Sequence, residues 1–148
     1  MSEATITEAD RTAELAGRTR LAVMRLARRL RQQRVDTSVT IGQLSALTTL
    51  RRHGPLSARD LAERERVQPP SMTAILSGLC ESGLVDRSVH PEDRRQAVLA
   101  ATAAGIELLD REIAQRTLWL AGRIDGLTPQ AREALERACA VLEELIDT

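Results

Sequence analysis

Phenylalanine and tyrosine are absent from this chain, and tryptophan occurs once. A core without aromatic rings has to be built from Leu, Ile, Val, Ala and Met, a composition that suits packed helices. The same lack argues against single-strand nucleic-acid binding, which stacks bases on aromatic side chains. Lysine is missing too: all 21 basic residues are arginine. Cysteine is limited to Cys80 and Cys139, too far apart in sequence for a metal-ligand motif. The chain has two histidines, and it carries no Ser-His-Asp set, no His-Glu-x-x-His and no glycine-rich phosphate loop, so an enzyme is not expected. No apolar run approaches the roughly 20 residues a membrane helix needs, and no signal peptide is visible. No cofactor, metal or membrane partner is expected, and the cytoplasm is the default location.

What is present fits one folded domain of 148 residues, 43% of them apolar. Net charge is zero, but it is unevenly spread. Residues 1–50 hold 8 arginines against 5 acids, residues 51–100 hold 8 against 7, and residues 101–148 hold 5 against 9. The acidic excess is therefore C-terminal.

The segment from Ser57 to Thr102 reads as a short helix, a turn, a second helix, a strand, a charged tip and a return strand. Ser57 is a good N-cap, with Asp60 three residues on. The turn is Arg66-Val67-Gln68. Pro69 and Pro70 open the next helix, where a missing N–H costs nothing. Met72, Ile75, Leu76 and Leu79 recur at helical spacing and predict a buried stripe. Gly83 is the natural stop. Two short apolar runs, Leu84 to Val89 and Ala97 to Ala101, then flank the polar stretch His90 to Gln96, the pattern of a β-ribbon. A helix-turn-helix followed by a ribbon is a DNA-reading arrangement: a helix for the major groove and a basic tip for the minor groove.

Long helical patterns lie on either side. One runs from about Asp10 to Gln33, with Leu15, Ala22, Val23, Leu26, Ala27 and Leu30 on an apolar face among many arginines. Thr40 caps a helix to about His53, with Ile41, Leu44, Leu47 and Leu50 as its expected buried stripe. Thr102 caps a helix to about Gly126, with Ile106, Leu109, Ile113, Leu120 and Ile124 on one face and Leu108, Leu118 and Trp119 off it. Thr128 and Pro129 open the last helix, where Leu135, Ala138, Leu142 and Leu145 repeat. Apolar faces at both ends of the chain have few partners within one subunit, which predicts a two-fold homodimer.

The chain resembles the MarR family of bacterial winged helix-turn-helix transcription regulators. The resemblance rests on Asp93-Arg94-Arg95, then Leu99 and Thr102-Ala103-Ala104-Gly105, preceded by Leu79, Gly83, Leu84 and Val85. Family members often read Asp-Pro-x-Asp-Arg-Arg and Leu-Thr-x-x-Gly; here His90 replaces the first Asp and Ala101 the Leu. The resemblance implies a mainly α fold with a small β-wing, a winged helix-turn-helix over residues 40–102, and dimerisation helices over 10–35 and 103–148. It implies a repressor that binds a palindromic double-stranded DNA operator as a homodimer and is released by a small lipophilic or aromatic effector.

The expected reading helix exposes Gln68, Pro70, Ser71, Thr73, Ala74 and Ser77, with no basic residue among them. Hydroxyls can bond to either base class, and Ala or a Thr methyl can meet a thymine methyl; DNA shape would then carry part of the specificity. Phosphate contacts would fall to Arg51, Arg52, Arg59, Arg64, Arg66 and Arg87. By resemblance, Asp93 orients a neighbouring arginine, and Arg94 or Arg95 enters the minor groove. Gly78, costly in mid-helix, implies a close approach to DNA or to another helix. Two alternatives remain: a winged-helix module for protein–protein contact, motivated by the zero net charge, and a redox regulator using Cys80.

Overall fold

A computed structural model of the chain describes residues 7–89 and 97–147. Its elements in order are α1 (Glu8–Gln32), α2 (Ile41–His53), β1 (Leu56–Ser57), α3 (Ala58–Glu65), α4 (Pro69–Glu81), β2 (Val85–Val89), β3 (Ala97–Ala101), α5 (Ala103–Asp125) and α6 (Pro129–Asp147). They form two compact units: Met1–Gln33 with Arg116–Thr148, and Arg34–Gln115. The division runs through α5.

The unit Arg34–Gln115 holds the buried core. Thr40 and Gln43 make a full capping box at the start of α2: Gln43 N donates to Thr40 Oγ1 at 3.2 Å, and Thr40 N donates to Gln43 Oε1 at 2.7 Å. Leu44, Leu47 and Leu50 are buried as their spacing predicts, but Ile41 stays 57% exposed. The close approach to α4 is made one residue on, where a Cβ on Gly42 would stand 3.3 Å from Ile75 Cδ1. Gly78 is the matching notch on α4: a Cβ there would lie 2.3 Å from Gln43 Nε2. The second helix that Gly78 implied is therefore α2.

Three antiparallel strands lie in the order β1-β3-β2. Arg87 pairs with Leu99 and Val89 with Ala97 between β2 and β3, while Leu56 of β1 pairs with Leu99 from the other side. A two-residue strand shows no alternation to read, so β1 left no mark in the sequence pattern. Gly83, with φ of +68°, turns the chain from α4 into β2, and the bond from Leu84 N to Leu79 O at 2.9 Å closes the helix end.

The start of α5 is fixed by that same corner. Thr102 N donates to Leu84 O at 3.0 Å and Thr102 Oγ1 donates to Gly83 O at 2.8 Å, while Gly105 N donates back to Thr102 Oγ1 at 3.1 Å. Gly105 sits so close to the Leu84 carbonyl that a Cβ would come within 2.3 Å of it. This contact selects the buried face of α5: Gly105, Leu108, Leu109 and Glu112, at spacings of three and four. Ile106 and Ile113, which the sequence placed on the buried stripe, are turned outward and exposed.

The unit Met1–Gln33 with Arg116–Thr148 is built from α1, the end of α5 and α6. Helix α1 starts two residues earlier than its apolar period suggested, because Thr7 and Asp10 form a capping box. The Thr7 hydroxyl and backbone N–H both donate to the Asp10 carboxylate, at 2.7 and 3.0 Å, and hold its pKa below the usual value. The cap's contribution is present above the ordinary Asp pKa and is lost as pH falls through the lowered one. The helix ends at Gln32, short of the expected 33–35, where Gln33 N turns back to Leu30 O. Neither α1 nor α6 contains a buried residue. An apolar groove of about 780 Å³ lies between them, lined by Leu15, Val23, Ala138, Val141, Leu142 and Leu145 among others. Among the described residues, no helix is long and apolar enough to cross a membrane.

Gly105→Ala tests the α5 corner. Backbone rather than a flexible side chain blocks the added methyl, so the loss of stability is expected to be about 1–3 kcal/mol. Urea unfolding measures it, and an unchanged midpoint would contradict the packing described.

Candidate nucleic-acid interface

Helix α3 begins at Ser57, whose Oγ accepts from Asp60 N at 3.1 Å. Leu61 and Ala62 face the core. The far end of α3 is held to α2 by Glu65, whose carboxylate accepts hydrogen bonds from the Ser45 and Thr49 hydroxyls. Sequence reasoning missed this clamp; nothing in a Glu at a helix end marks it. The helix stops at Arg66, in the left-handed region with φ of 54°. Arg66 N donates to Glu63 O at 3.2 Å and Val67 N to Ala62 O at 3.0 Å, the paired bonds of a Schellman turn.

Helix α4 follows after two residues. Gln68 is its N-cap and makes no side-chain cap bond; Pro69 and Pro70 occupy the first two positions. Met72, Leu76 and Leu79 are buried, so the opposite face is fixed by helical geometry. Gln68, Pro70, Ser71, Thr73, Ala74 and Ser77 are all exposed. Within this set the hydroxyl of Thr73 donates to Pro69 O at 3.0 Å. Its proton is in use along the helix, which leaves an oxygen acceptor and a methyl group to face outward. Ile75, expected in the buried stripe, is half-buried against the core.

The arginines differ in what already holds them. Arg51 Nη1 is 2.8 Å from Asp110 Oδ1, so its charge is partly compensated within the fold. Arg59 Nε is 3.1 Å from Glu63 Oε1, with both side chains well exposed; a pair in water contributes roughly 0–1 kcal/mol and gives way readily to a phosphate. Arg52, Arg64, Arg66 and Arg87 are exposed and make no ion pair with another described residue. Asp93, Arg94 and Arg95 lie outside the described residues.

Three adjoining depressions meet at Ala58 of α3, and two of them are also lined by α4. The first, about 700 Å³, is lined by Arg59, Glu63, Arg66, Gln68, Pro69 and Thr73 among others. The second, about 270 Å³, brings Arg87 beside Thr73, Ser77 and Cys80. The third joins Arg59 and Arg87 across Ala58. Thus Gln68, Thr73, Ser77, Arg59, Arg66 and Arg87 come together around α4, while Arg51, Arg52 and Arg64 line none of these three. This arrangement is a neutral hydrogen-bonding helix face bordered by three arginines, with Asp60 and Glu63 beside them. It can offer donors and methyls to base edges and guanidinium groups to phosphates.

Cys80 is half-buried against the core and Cys139 is exposed, both as free thiols. Glu112 is the only buried charged residue among those described, and its carboxylate accepts from the backbone N–H of Val35 at 2.9 Å and of Asp36 at 3.1 Å. Its place at the end of the Gly105-Leu108-Leu109 stripe was the available signal, an acid on an otherwise apolar face. Asp36 in turn accepts from the hydroxyl and the N–H of Ser38 at 2.6 and 2.8 Å, which lowers its pKa. Trp119 carries the Arg123 guanidinium 5.2 Å from its ring centroid, an i, i+4 cation–π pair. No group of three or more His, Cys, Asp or Glu among the described residues could hold a metal ion.

The chain is similar to several known proteins. A family model described as the MarR family matches residues 39–97, which span α2 to the start of β3. An HTH-type transcriptional regulator of Mycobacterium leprae is 44% identical over 138 residues, covering 93% of this chain and 96% of that protein. The HTH-type transcriptional repressor NicR of Pseudomonas putida is 31% identical, over 94% of this chain and 86% of its own length. A solved structure from Pseudomonas aeruginosa superposes with a TM-score of 0.82 at 28% identity, covering 96% of this chain and 99% of that one.

A negative charge placed on the neutral helix face tests its role without disturbing the core. Ser77 is exposed, so Ser77→Glu is expected to fold normally by circular dichroism. Its DNA affinity should fall at least tenfold, about 1.4 kcal/mol. Unchanged affinity would take this face out of the interface.

Proposed function

The chain belongs to the MarR family of HTH-type transcriptional regulators, and from that premise we propose how it works: two copies bind a palindromic double-stranded DNA operator and repress transcription until a small lipophilic or aromatic molecule releases them. The observation that carries the DNA reading is the exposed α4 face, Gln68 to Ser77, framed by Arg59, Arg66 and Arg87. Gln68, Pro70, Ser71, Thr73, Ala74 and Ser77 meet base edges in the major groove. Arg59, Arg64, Arg66 and Arg87, with Arg51 and Arg52 at the flank, hold phosphates. Asp93 orients a neighbouring arginine, and Arg94 or Arg95 enters the minor groove.

Dimerisation is supported by the bare apolar groove between α1 and α6. Leu145 there is 67% exposed, and nearby Ile146 is 81% exposed. Contiguous apolar surface of this kind marks an interaction site, and a second copy presenting the same two helices is its simplest cover. Repression is supported by the name of the Pseudomonas putida relative. Repression, the effector and a cytoplasmic location are otherwise carried over from the family. A second reading, contact with another protein through the winged region, draws on the zero net charge and the absence of basic residues from the α4 face. A gel shift with the DNA flanking the protein's own gene separates the two: a discrete retarded band supports the DNA reading, and no shift at low salt defeats it.

Two predictions follow from the two-fold arrangement and its wings. Half-site centres should lie about 10 base pairs, or a multiple, apart; a footprint over one unpaired half-site at full affinity would contradict the dimer. The double change Arg94→Ala, Arg95→Ala is expected to leave the dimer intact and to weaken binding at least tenfold, roughly 1.4 kcal/mol. DNA titration alongside sedimentation checks both parts, and native affinity in the folded double variant would exclude the wing.

A further inference from the structure

Arg66 is the only residue other than glycine with a positive φ among those described. The Schellman turn at the end of α3 requires the left-handed conformation at this position, and glycine fills it most easily because a Cβ crowds the following carbonyl. Here the position carries one of the longest side chains. Packing does not account for it. The residue is exposed, and no hydrogen bond or ion pair joins its guanidinium to another described residue. Neighbouring Arg59, by contrast, is held by Glu63 at 3.1 Å.

The location supplies what the packing does not. Arg66 lines the same depression as Gln68, Pro69 and Thr73, at the threshold of the reading helix. The first turn of α4 contains no acidic residue, and its N-cap makes no side-chain bond. In the free protein the guanidinium lies at the C-terminal end of α3, which favours a cation, and shares its depression with Glu63, but it bonds to neither. None of these surroundings requires an arginine in the left-handed conformation, and the guanidinium is left open to an anion. Backbone strain retained without a structural partner is a pointer to function.

We propose that Arg66 is a phosphate-gripping residue kept at the expense of fold stability, so that the turn between α3 and α4 is less stable than a glycine would make it and binds DNA more tightly. This deepens the DNA-binding reading and rests on it. It assigns to one residue a trade between stability and affinity that the other exposed arginines, on ordinary backbone, do not make.

Arg66→Gly, Arg66→Lys and the native protein test the proposal on two duplexes: the DNA flanking the gene that the native protein protects, and a scrambled copy. Each titration is run at several salt concentrations, with thermal unfolding in parallel. The glycine variant should fold and unfold about 1–4 °C higher than the native protein. It should bind both duplexes about tenfold more weakly, with the salt slope reduced by about 1 per protomer. The lysine variant keeps the charge and the Cβ. Its slope should be native, its affinity within about threefold of native, and its unfolding midpoint unchanged. A glycine variant with native affinity and slope would overturn the proposal, and so would one that unfolds at a lower temperature, since Arg66 would then be structural. If the native protein bound neither duplex, the DNA reading itself would fail, an outcome distinct from either of these.

Discussion

Burial of one stripe on α4 sets the rest of the arrangement. Met72, Leu76 and Leu79 are almost fully excluded from water, in one core with Leu47 and Leu50 of α2, Leu61 of α3 and Leu99 of β3. Each such side chain contributes about 1.5–3 kcal/mol by leaving water, far more than any surface pair near the site. Because the helix has a fixed period, sinking that stripe leaves a single face outward. The hydroxyl and methyl groups of Ser71, Thr73, Ala74 and Ser77 stand there as a consequence of what lies beneath them. Gly42 and Gly78 let α2 and α4 cross closely, and the Glu65 clamp holds α3 to α2. The outward face of α4 therefore sits on a packed support of α2 and α3.

The electrostatics divide along the same line. The chain is neutral as a whole, and its α4 face carries no cation. Positive charge is instead arranged around that face, on the first turn of α3, at the turn that follows this helix and on β2, by Arg59, Arg66 and Arg87. Affinity for DNA comes chiefly from phosphate neutralisation, and specificity from base edges and DNA shape. On the proposed reading, separating the two onto different elements would let a neutral protein bind a polyanion while its reading helix stays free of non-selective attraction.

Much of this was legible in the sequence, and the exceptions share a cause. The caps at Thr40, Ser57, Thr102 and Thr128, the proline start of α4 and the stop at Gly83 all appear where local chemistry placed them. Local signals fail where a distant backbone decides. The face of α5 is chosen by the Leu84 carbonyl pressed against Gly105, so Ile106 and Ile113 point outward against their apparent stripe. Strand β1 exists only because Leu56 finds Leu99. Glu112 looks like an interruption of an apolar face until the N–H groups of Val35 and Asp36 are brought to it. At the candidate site the outward face of α4 was readable from period alone. Which arginines gather around it was not, since that depends on how α3, α4 and β2 meet.

The central claim is that phosphate contacts hold the protein on DNA while the neutral α4 face selects the sequence. The most direct measurement is the dependence of log affinity on log salt for the operator duplex and for a scrambled duplex of the same length. The account predicts two nearly parallel lines, because the same arginines serve both duplexes. The operator line should lie at least about a thousandfold higher. Coincident lines would mean that the α4 face selects nothing, and a flat operator line would mean that the arginine frame does not hold the backbone.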